Sequence, residues 1–209
     1  AFFNQVIERV AAVPGVTSTA MTIHVPMGDR PSMGWDAIPQ GRAHNPARDN
    51  AAGRIVSPGY FTTAGIQRFA GRDFDSRDVR DNPLVMAINE TFARQIRGEG
   101  RDPLQTRMLT LGSVRQVVAV VADVKHRSLD GDTGREAYIP IAQAPTFFQS
   151  YDLVVRANDP IALVPAIRDA IWEIDRNQAL GAPVLLEEYV GRTLRPRQLL
   201  TEVIGIFAA

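Results

Sequence analysis

The sequence contains no cysteine among its 209 residues. Catalysis by a thiol, disulfide bonds and thiolate metal sites are therefore excluded. Histidine is scarce as well: His24, His44 and His126 lie far apart in the sequence. None of them has a second ligand-type residue at the spacing of a helical or finger-type metal site. We interpret them as structural or surface residues and predict no metal site.

The sequence also lacks an excess of charge of either sign. It holds 23 acidic and 23 basic residues, and Lys125 is its single lysine. Without net charge there is no general attraction to nucleic acid or to an anionic membrane surface, so we predict no nucleic-acid partner. No run approaches the roughly 20 apolar residues that a membrane span needs. No signal-peptide pattern is visible in the printed residues.

Motifs that would indicate catalysis are missing. The sequence contains no G-x-x-x-x-G-K-[ST], G-x-S-x-G or H-E-x-x-H pattern. The acidic residues between positions 73 and 81 alternate with arginines and lack the glycine of a calcium loop, which predicts a charge-balanced surface loop. Asn89-Glu90-Thr91 matches a glycosylation sequon at a predicted helix start. We predict no enzymatic activity, no catalytic residue and no bound cofactor.

Both ends of the sequence show the pattern of an amphipathic helix. Apolar residues recur at helical spacing over residues 2–13 and again over residues 196–209. Neither helix has a capping residue at its outer end, so we expect both to continue into longer hydrophobic segments. This pattern fits a domain held between two transmembrane helices, and it fits an ordinary soluble domain with amphipathic ends equally well. We also hypothesise that the two helices pack together.

The first third of the chain combines short regular elements with a long irregular one. Residues 16–25 alternate in the manner of a strand. Residues 26–50 are rich in proline and glycine and predict a surface excursion with one short strand near Trp35–Ile38. Arg54–Val56 resumes extended structure, and residues 60–64 predict a short helix that ends at Gly65. A connecting strand is expected at 66–70.

The middle of the chain predicts a β-rich unit with one helix. Residues 84–88 form an apolar run that suits a buried strand. Asn89 is expected to open a helix to about Arg97, with Phe92, Ala93 and Ile96 facing inward. Residues 108–111 and 114–124 predict a hairpin. Residues 127–135 predict a polar loop, and residues 138–140 an edge strand, because proline cannot donate to a ladder.

The last third predicts a strand at 152–157 and a helix with an apolar face formed by Val164, Ile167, Ile171 and Ile174. Pro165 removes one backbone donor, so the helix either kinks there or begins at Leu163. A final strand at 184–186 and a short helix at 187–194 complete the predicted elements.

Several strings of the sequence resemble, in order and spacing, the MacB-like periplasmic core domain of ABC transporter permeases, within the FtsX-type permease superfamily. The strings are VSPGYF at 56–61, GRDF at 71–74, INETFAR at 88–94, VVADVKHR at 120–127, EAYIP at 136–140 and LVVR at 153–156. The resemblance extends along nearly the whole chain, except for the variable stretch at about 28–50.

The resemblance implies an α+β fold with two subdomains. Residues 1–66 and 145–209 would form a discontinuous porter-like α/β layer built from both chain ends. Residues 67–144 would form an inserted, β-rich, Sabre-like subdomain. In such proteins the domain lies outside the cytoplasmic membrane of a bacterium, between the first and second transmembrane helices.

The resemblance also implies a function and partners. Such a domain is non-catalytic and couples ATP hydrolysis in the cytoplasm to export of a peptide, a macrolide-type drug or a lipoprotein by mechanotransmission. Its partners would be an ABC ATPase domain or subunit and a second copy of the permease, with a periplasmic adaptor and an outer-membrane tunnel in some members. The alternative is an extracytoplasmic ligand-binding or sensory module anchored by two transmembrane helices.

Overall fold

The structure, a computed structural model, describes residues 2–28, 33–126, 133–146 and 150–188. The described part mixes helices and strands, which confirms the α+β class. The helices are α1 (Phe2–Ala11), α2 (Pro46–Asp49), α3 (Tyr60–Ala64), α4 (Glu90–Gly98) and α5 (Val164–Trp172), with 3₁₀ turns at Pro103–Gln105 and Ile141–Gln143. The strands are β1 (Val16–Thr22), β2 (Met33–Pro39), β3 (Asn50–Val56), β4 (Arg68–Gly71), β5 (Val85–Asn89), β6 (Arg107–Thr110), β7 (Ser113–Val121), β8 (Glu136–Pro140) and β9 (Asp152–Ala157).

The nine strands form one hydrogen-bonded sheet in the order β2-β6-β7-β5-β8-β3-β1-β9, with β4 paired to β7. Strand β2 also pairs with β3, so the first six strands in this order form a closed ring of hydrogen-bonded strands. We call these six strands the closed sheet. The pairs β3–β8 and β5–β7 are parallel, and the other pairs are antiparallel.

The interior of the closed sheet is filled by alternating apolar side chains. Because successive residues of a strand point to opposite faces, one inward set on each strand builds a continuous core. Helix α4 adds three buried side chains to it. Gly53 leaves room for the indole ring of Trp35, since a Cβ atom there would lie 2.4 Å from the ring. Main members of this core are Trp35, Ala37, Ile55, Met86, Ile88, Phe92, Ala93, Ile96, Met108, Val117, Ala137 and Ile139.

Two further apolar clusters lie outside the closed sheet. One is formed by α3 and the loop around Phe74, which cover the outward faces of β5, β7 and β8. The other is formed by α1 and α5, which pack on β1 and β9. The outward face of the sheet is therefore covered by α3 where β1, β3 and β8 lie side by side.

Several sequence predictions are confirmed within one or two residues. Helix α3 has the predicted bounds, and Gly65 ends it with a φ of 73°, a conformation that glycine adopts without strain. Helix α4 begins after Asn89, whose side chain accepts a hydrogen bond from Phe92 N at 3.1 Å. The predicted inward residues of α4 are all buried, and β9 occupies the predicted positions.

The prediction that residues 138–140 form an edge strand is wrong. Strand β8 lies between β3 and β5, and all five of its residues are buried. Pro140 is tolerated because it is the last residue of the strand. It faces Val56 on the β3 side, whereas the pairing with β5 involves Tyr138 and Ala137 and does not reach it. A proline at the end of a central strand breaks no ladder.

The predicted strand at 184–186 is also wrong. Val184 and Leu186 are 38% and 40% exposed, and residues 181–185 have no strand structure.

Of the two alternatives predicted at Pro165, the structure shows a helix that begins near Leu163 and not a kinked helix. Leu163 is the N-cap residue of α5, so Pro165 lies in the first turn, where its missing N–H is not needed.

The predicted division at residues 66/67 and 144/145 stays a prediction. Strands β2 and β3 from the first segment pair with β6 and β8 of the second, so the sheet crosses this division.

The predicted helix at 196–209 and its packing against α1 lie outside the described residues, as do most of the predicted loop at 127–135 and of the helix at 187–194. None of the helices in the described ranges is both long and apolar enough to cross a bilayer.

Asn89→Ala is expected to lower the free energy of unfolding by about 2 kcal/mol, because it removes a helix cap and a strand contact together. The Asn89 carboxamide accepts from Phe92 N and Glu136 N and donates to Gly134 O. Urea unfolding followed by circular dichroism measures the loss. Asn45→Ala is the matched control, since Asn45 caps the exposed helix α2 through Ala47 N. A smaller loss at Asn89 than at Asn45 would contradict the prediction.

Candidate functional site

Helix α1 is attached to the sheet by its apolar face. Val6 and Val10 are buried, and they form a cluster with Met21 of β1 and Ile171 of α5. The ring of Phe3 lies edge-on to Tyr151 at 4.5 Å between centroids. The opposite face of α1 is exposed and polar, as its sequence pattern predicts. Helix α1 is therefore in direct contact with β1 and α5.

An ion pair also joins α1 to α5. Arg9 Nε donates to Glu173 Oε2 at 2.9 Å, and the two side chains are each 58% exposed. A pair with that exposure contributes less than about 1 kcal/mol to stability. The attachment of α1 thus depends on its apolar face, with Val6 and Val10 at its centre.

Strand β3 connects the layer beneath α1 to the closed sheet. On one side its end pairs with β1, where Ser57 N donates to Met21 O at 2.9 Å and Ile23 N donates to Ile55 O at 3.1 Å. On its other side β3 pairs with β8 over residues 52–56. One strand thereby belongs to both parts of the sheet.

A buried charged cluster lies at this junction, on the outward face of the closed sheet. Glu136 of β8 is central to it: its Oε1 accepts from Arg54 Nη2 at 3.2 Å, and its Oε2 accepts from Tyr138 Oη at 2.7 Å. His126 Nε2 lies 3.0 Å from the same Oε1. We call these four residues the Glu136 cluster.

The Glu136 cluster is almost completely removed from water. The side chains of Arg54 and Glu136 are 1% and 4% exposed. Burial raises the pKa of Tyr138 well above its usual value, and the Glu136 charge raises it further. Burial likewise raises the pKa of Tyr60, which packs beside the cluster. Both phenols are therefore neutral at any physiological pH.

A second buried arginine ties the closed sheet to the chain that follows β8. Arg115 Nη2 donates to Gln143 O at 3.1 Å, and Gln143 Oε1 accepts from Val85 N at 2.9 Å. Gln143 Nε2 donates in turn to Val79 O at 3.0 Å. Burial lowers the pKa of Arg115. These hydrogen bonds hold the segment after β8 against β5 and β7.

The acidic segment at 73–81 is a charge-balanced loop, as predicted. Arg72 binds both carboxylate oxygens of Asp78 at 2.7 Å, and Arg77 Nη2 lies 2.8 Å from Asp75. Hydrogen bonds from Arg77 lower the pKa of Asp75. Over the described ranges, no group of three or more His, Asp and Glu side chains could hold a metal ion.

The structure brings one of the three histidines into a charged group that sequence reasoning missed. His24 is nearly buried, and His44 Nε2 pairs with Asp36 at 3.2 Å on the surface. His126 contacts Glu136, ten positions further along the chain. No sequence spacing predicts that contact. Asn89 of the sequon is fully buried and engaged in hydrogen bonds, so it is not presented for glycosylation in this fold.

Comparison with family models identifies one family. A family model described as "MacB-like periplasmic core domain" matches residues 3–174. No curated protein sequence matches significantly.

Solved structures with a similar fold include three domains of low sequence identity. The periplasmic region of MacB from Actinobacillus actinomycetemcomitans aligns with a TM-score of 0.55 at 14% identity, over 85% of this chain and 84% of that one. The extracellular domain of the ABC-type transporter YknZ from Gram-positive bacteria aligns at 0.54 and 15%, over 82% and 81%. A domain of a permease protein from Porphyromonas gingivalis aligns at 0.52 and 16%, over 87% and 85%.

Proposed function

The chain belongs to the family of MacB-like periplasmic core domains of ABC transporter permeases, and from this premise we propose that it is a mechanical coupling element. In this proposal, movement of a membrane helix that continues into α1 is passed to the closed sheet and used to move a substrate outside the cytoplasmic membrane. The domain itself catalyses no reaction. Peptides, macrolide-type drugs and lipoproteins are the substrate classes we propose.

The observation that carries this proposal is the continuous connection from α1 to the closed sheet. The valines of α1 pack on β1, β1 is hydrogen-bonded to the end of β3, and β3 is a strand of the closed sheet. Close-packed interiors transmit strain because their compressibility is low. The Glu136 cluster crosslinks β3 to β8 at the point where the two parts meet.

The proposal requires partners outside this chain. Energy would come from an ABC ATPase domain or subunit in the cytoplasm, and a second copy of the permease would provide the opposing domain. A periplasmic adaptor and an outer-membrane tunnel protein are proposed for the case in which substrate crosses a second membrane.

Val10→Ala in the full-length transporter is expected to lower substrate transport several-fold while ATP hydrolysis continues. The substitution loosens α1 from β1 by removing two buried methyl groups, which costs about 1–2 kcal/mol, too little to unfold a typical domain. The measurement is transported substrate per ATP hydrolysed, in vesicles containing the purified transporter.

Glu8→Ala is the matched control, because Glu8 is on the exposed face of the same helix. Thermal melting of both variants establishes that the domain is folded. Equal transport per ATP in Val10→Ala and Glu8→Ala would contradict coupling through α1. Small-molecule binding with no effect of α1 on transport would instead favour the alternative of a sensory module.

A further inference from the structure

An open cleft of about 650 Å³ lies on the surface where β2 ends and β6 begins. Its walls are formed mainly by polar side chains from the end of β2, the segment after α4 and the start of β6. They include Gln40, Arg101, Asp102, Gln105 and Arg107. This cleft is remote in sequence from α1 and from the Glu136 cluster.

The two arginines of the cleft have hydrogen-bonding capacity that the fold does not use. Arg101 Nη1 donates to Gln40 O at 3.1 Å, which holds the guanidinium group at the wall. Arg107 is exposed and, among the described residues, takes part in no ion pair. Each guanidinium carries five N–H donors in a planar fork that matches a carboxylate.

Nearby acidic groups do not neutralise both arginines. Asp102 is in the wall, and its Oδ1 already accepts from Leu104 N at 2.9 Å. Glu99 lies outside the wall and pairs with Arg42, whose Nε is 3.4 Å from Glu99 Oε2. The cleft therefore keeps a local positive charge, although the chain as a whole carries equal numbers of acidic and basic residues.

A row of exposed and partly exposed apolar side chains runs beside the cleft across three strands. Ile38 of β2 is opposite Leu109 of β6, and Leu109 is opposite Val114 of β7. Leu109 and Val114 are 41% and 42% exposed. Arg107 points outward on the same face of β6, two positions before Leu109. The spacing between these two side chains is about 6.8 Å, because a strand rises about 3.4 Å per residue.

We propose that this surface binds an acidic peptide segment in extended conformation. A carboxylate side chain of the peptide binds in the cleft between Arg101 and Arg107. An apolar side chain two positions along the peptide lies on the row formed by Ile38, Leu109 and Val114. An extended peptide has the same two-residue spacing on one face as β6, so both contacts form together. This binding is separate from the proposed coupling function.

The test measures binding of a labelled peptide to the whole 209-residue chain by fluorescence anisotropy. The probe has glutamate and leucine in turn at every second position, with serine between them, and a second peptide has glutamine in place of glutamate. Arg101→Gln and Arg107→Gln are each expected to weaken binding of the glutamate peptide about tenfold, as loss of a charge-assisted hydrogen bond does. Leu109→Ser weakens it about threefold.

Arg97→Gln is the matched control, since it removes the same charge from an exposed position on α4, and it is expected to leave the affinity unchanged. Because the substituted side chains are exposed or at the cleft rim, melting curves of the variants should coincide with that of the parent. Equal affinity for the glutamate and glutamine peptides would overturn the proposal, as would equal loss in Arg97→Gln. Full competition by inorganic phosphate with no effect of Leu109→Ser would show a small-anion site and would overturn it too.

Discussion

Glu136→Ala is expected to lower the free energy of unfolding by about 3–5 kcal/mol, which is a large part of the stability of a typical domain. The substitution leaves the buried guanidinium of Arg54 without the carboxylate that it contacts at 3.2 Å, and the hydroxyl of Tyr138 without its acceptor. A buried charge that loses its carboxylate partner recovers less of its desolvation cost, even though Arg54 Nη1 still donates to Gly53 O at 3.1 Å. Urea unfolding monitored by intrinsic fluorescence and circular dichroism gives the value.

Two comparisons separate charge from packing in this result. Glu136→Gln keeps the size of the side chain and removes its charge, so its loss should lie between those of the parent and Glu136→Ala. Glu173→Ala removes a carboxylate from an exposed ion pair with Arg9 and should cost less than about 1 kcal/mol. If Glu136→Ala costs no more than Glu173→Ala, the Glu136 cluster is not a stabilising contact between β3 and β8.

Phe92→Ala is expected to cost about 3–5 kcal/mol through the cavity that it leaves in the closed sheet. Phe92 is fully buried and is the largest of the three side chains that α4 contributes to this core. The surrounding strands are hydrogen-bonded on both sides and cannot collapse into the space, so little of the lost packing is recovered. Thermal and urea unfolding measure the effect.

The control for Phe92→Ala is Arg97→Ala on the outer face of the same helix, where the ion pair with Glu90 is at the surface. We expect it to change stability by less than about 1 kcal/mol. A loss below about 1.5 kcal/mol for Phe92→Ala would mean that α4 does not pack as described, because that is less than the transfer free energy of a buried aromatic ring.

Local elements of this fold follow from the sequence because their signals are local. The glycine at position 65, the cap at Asn89 and the apolar spacing of Phe92, Ala93 and Ile96 each fix an element without reference to distant residues. The α+β class is instead what the family resemblance implies, and that resemblance rests on strings in a fixed order along the chain. Residues 184–186 show the limit of this reasoning, since a short apolar run becomes a strand only where a partner strand is available.

The arrangement of the strands depends on contacts that local patterns do not contain. A proline within residues 138–140 predicts an edge strand. The sequence pattern does not show that Pro140 is the last residue of β8, where a missing N–H is tolerated. The Glu136 cluster was missed for a related reason. Arg54 and Glu136 occupy outward positions of β3 and β8, where alternation predicts solvent exposure, and they are buried because other elements cover that face.

The pairing of β1 with β9 has a consequence for the order of folding. Thr22 is opposite Asp152 and Val16 is opposite Ala157. Strand β1, near the start of the chain, therefore cannot form this pairing until β9 has been synthesised. The parallel pair β3–β8 likewise joins Ala52 to Glu136. Distant pairings of this kind raise the contact order and slow folding, because the entropy of closing long loops is lost before the contacts form. During synthesis the edge of β1 that pairs with β9 therefore stays unpaired until residue 157 has emerged, and an unpaired strand edge is prone to aggregation.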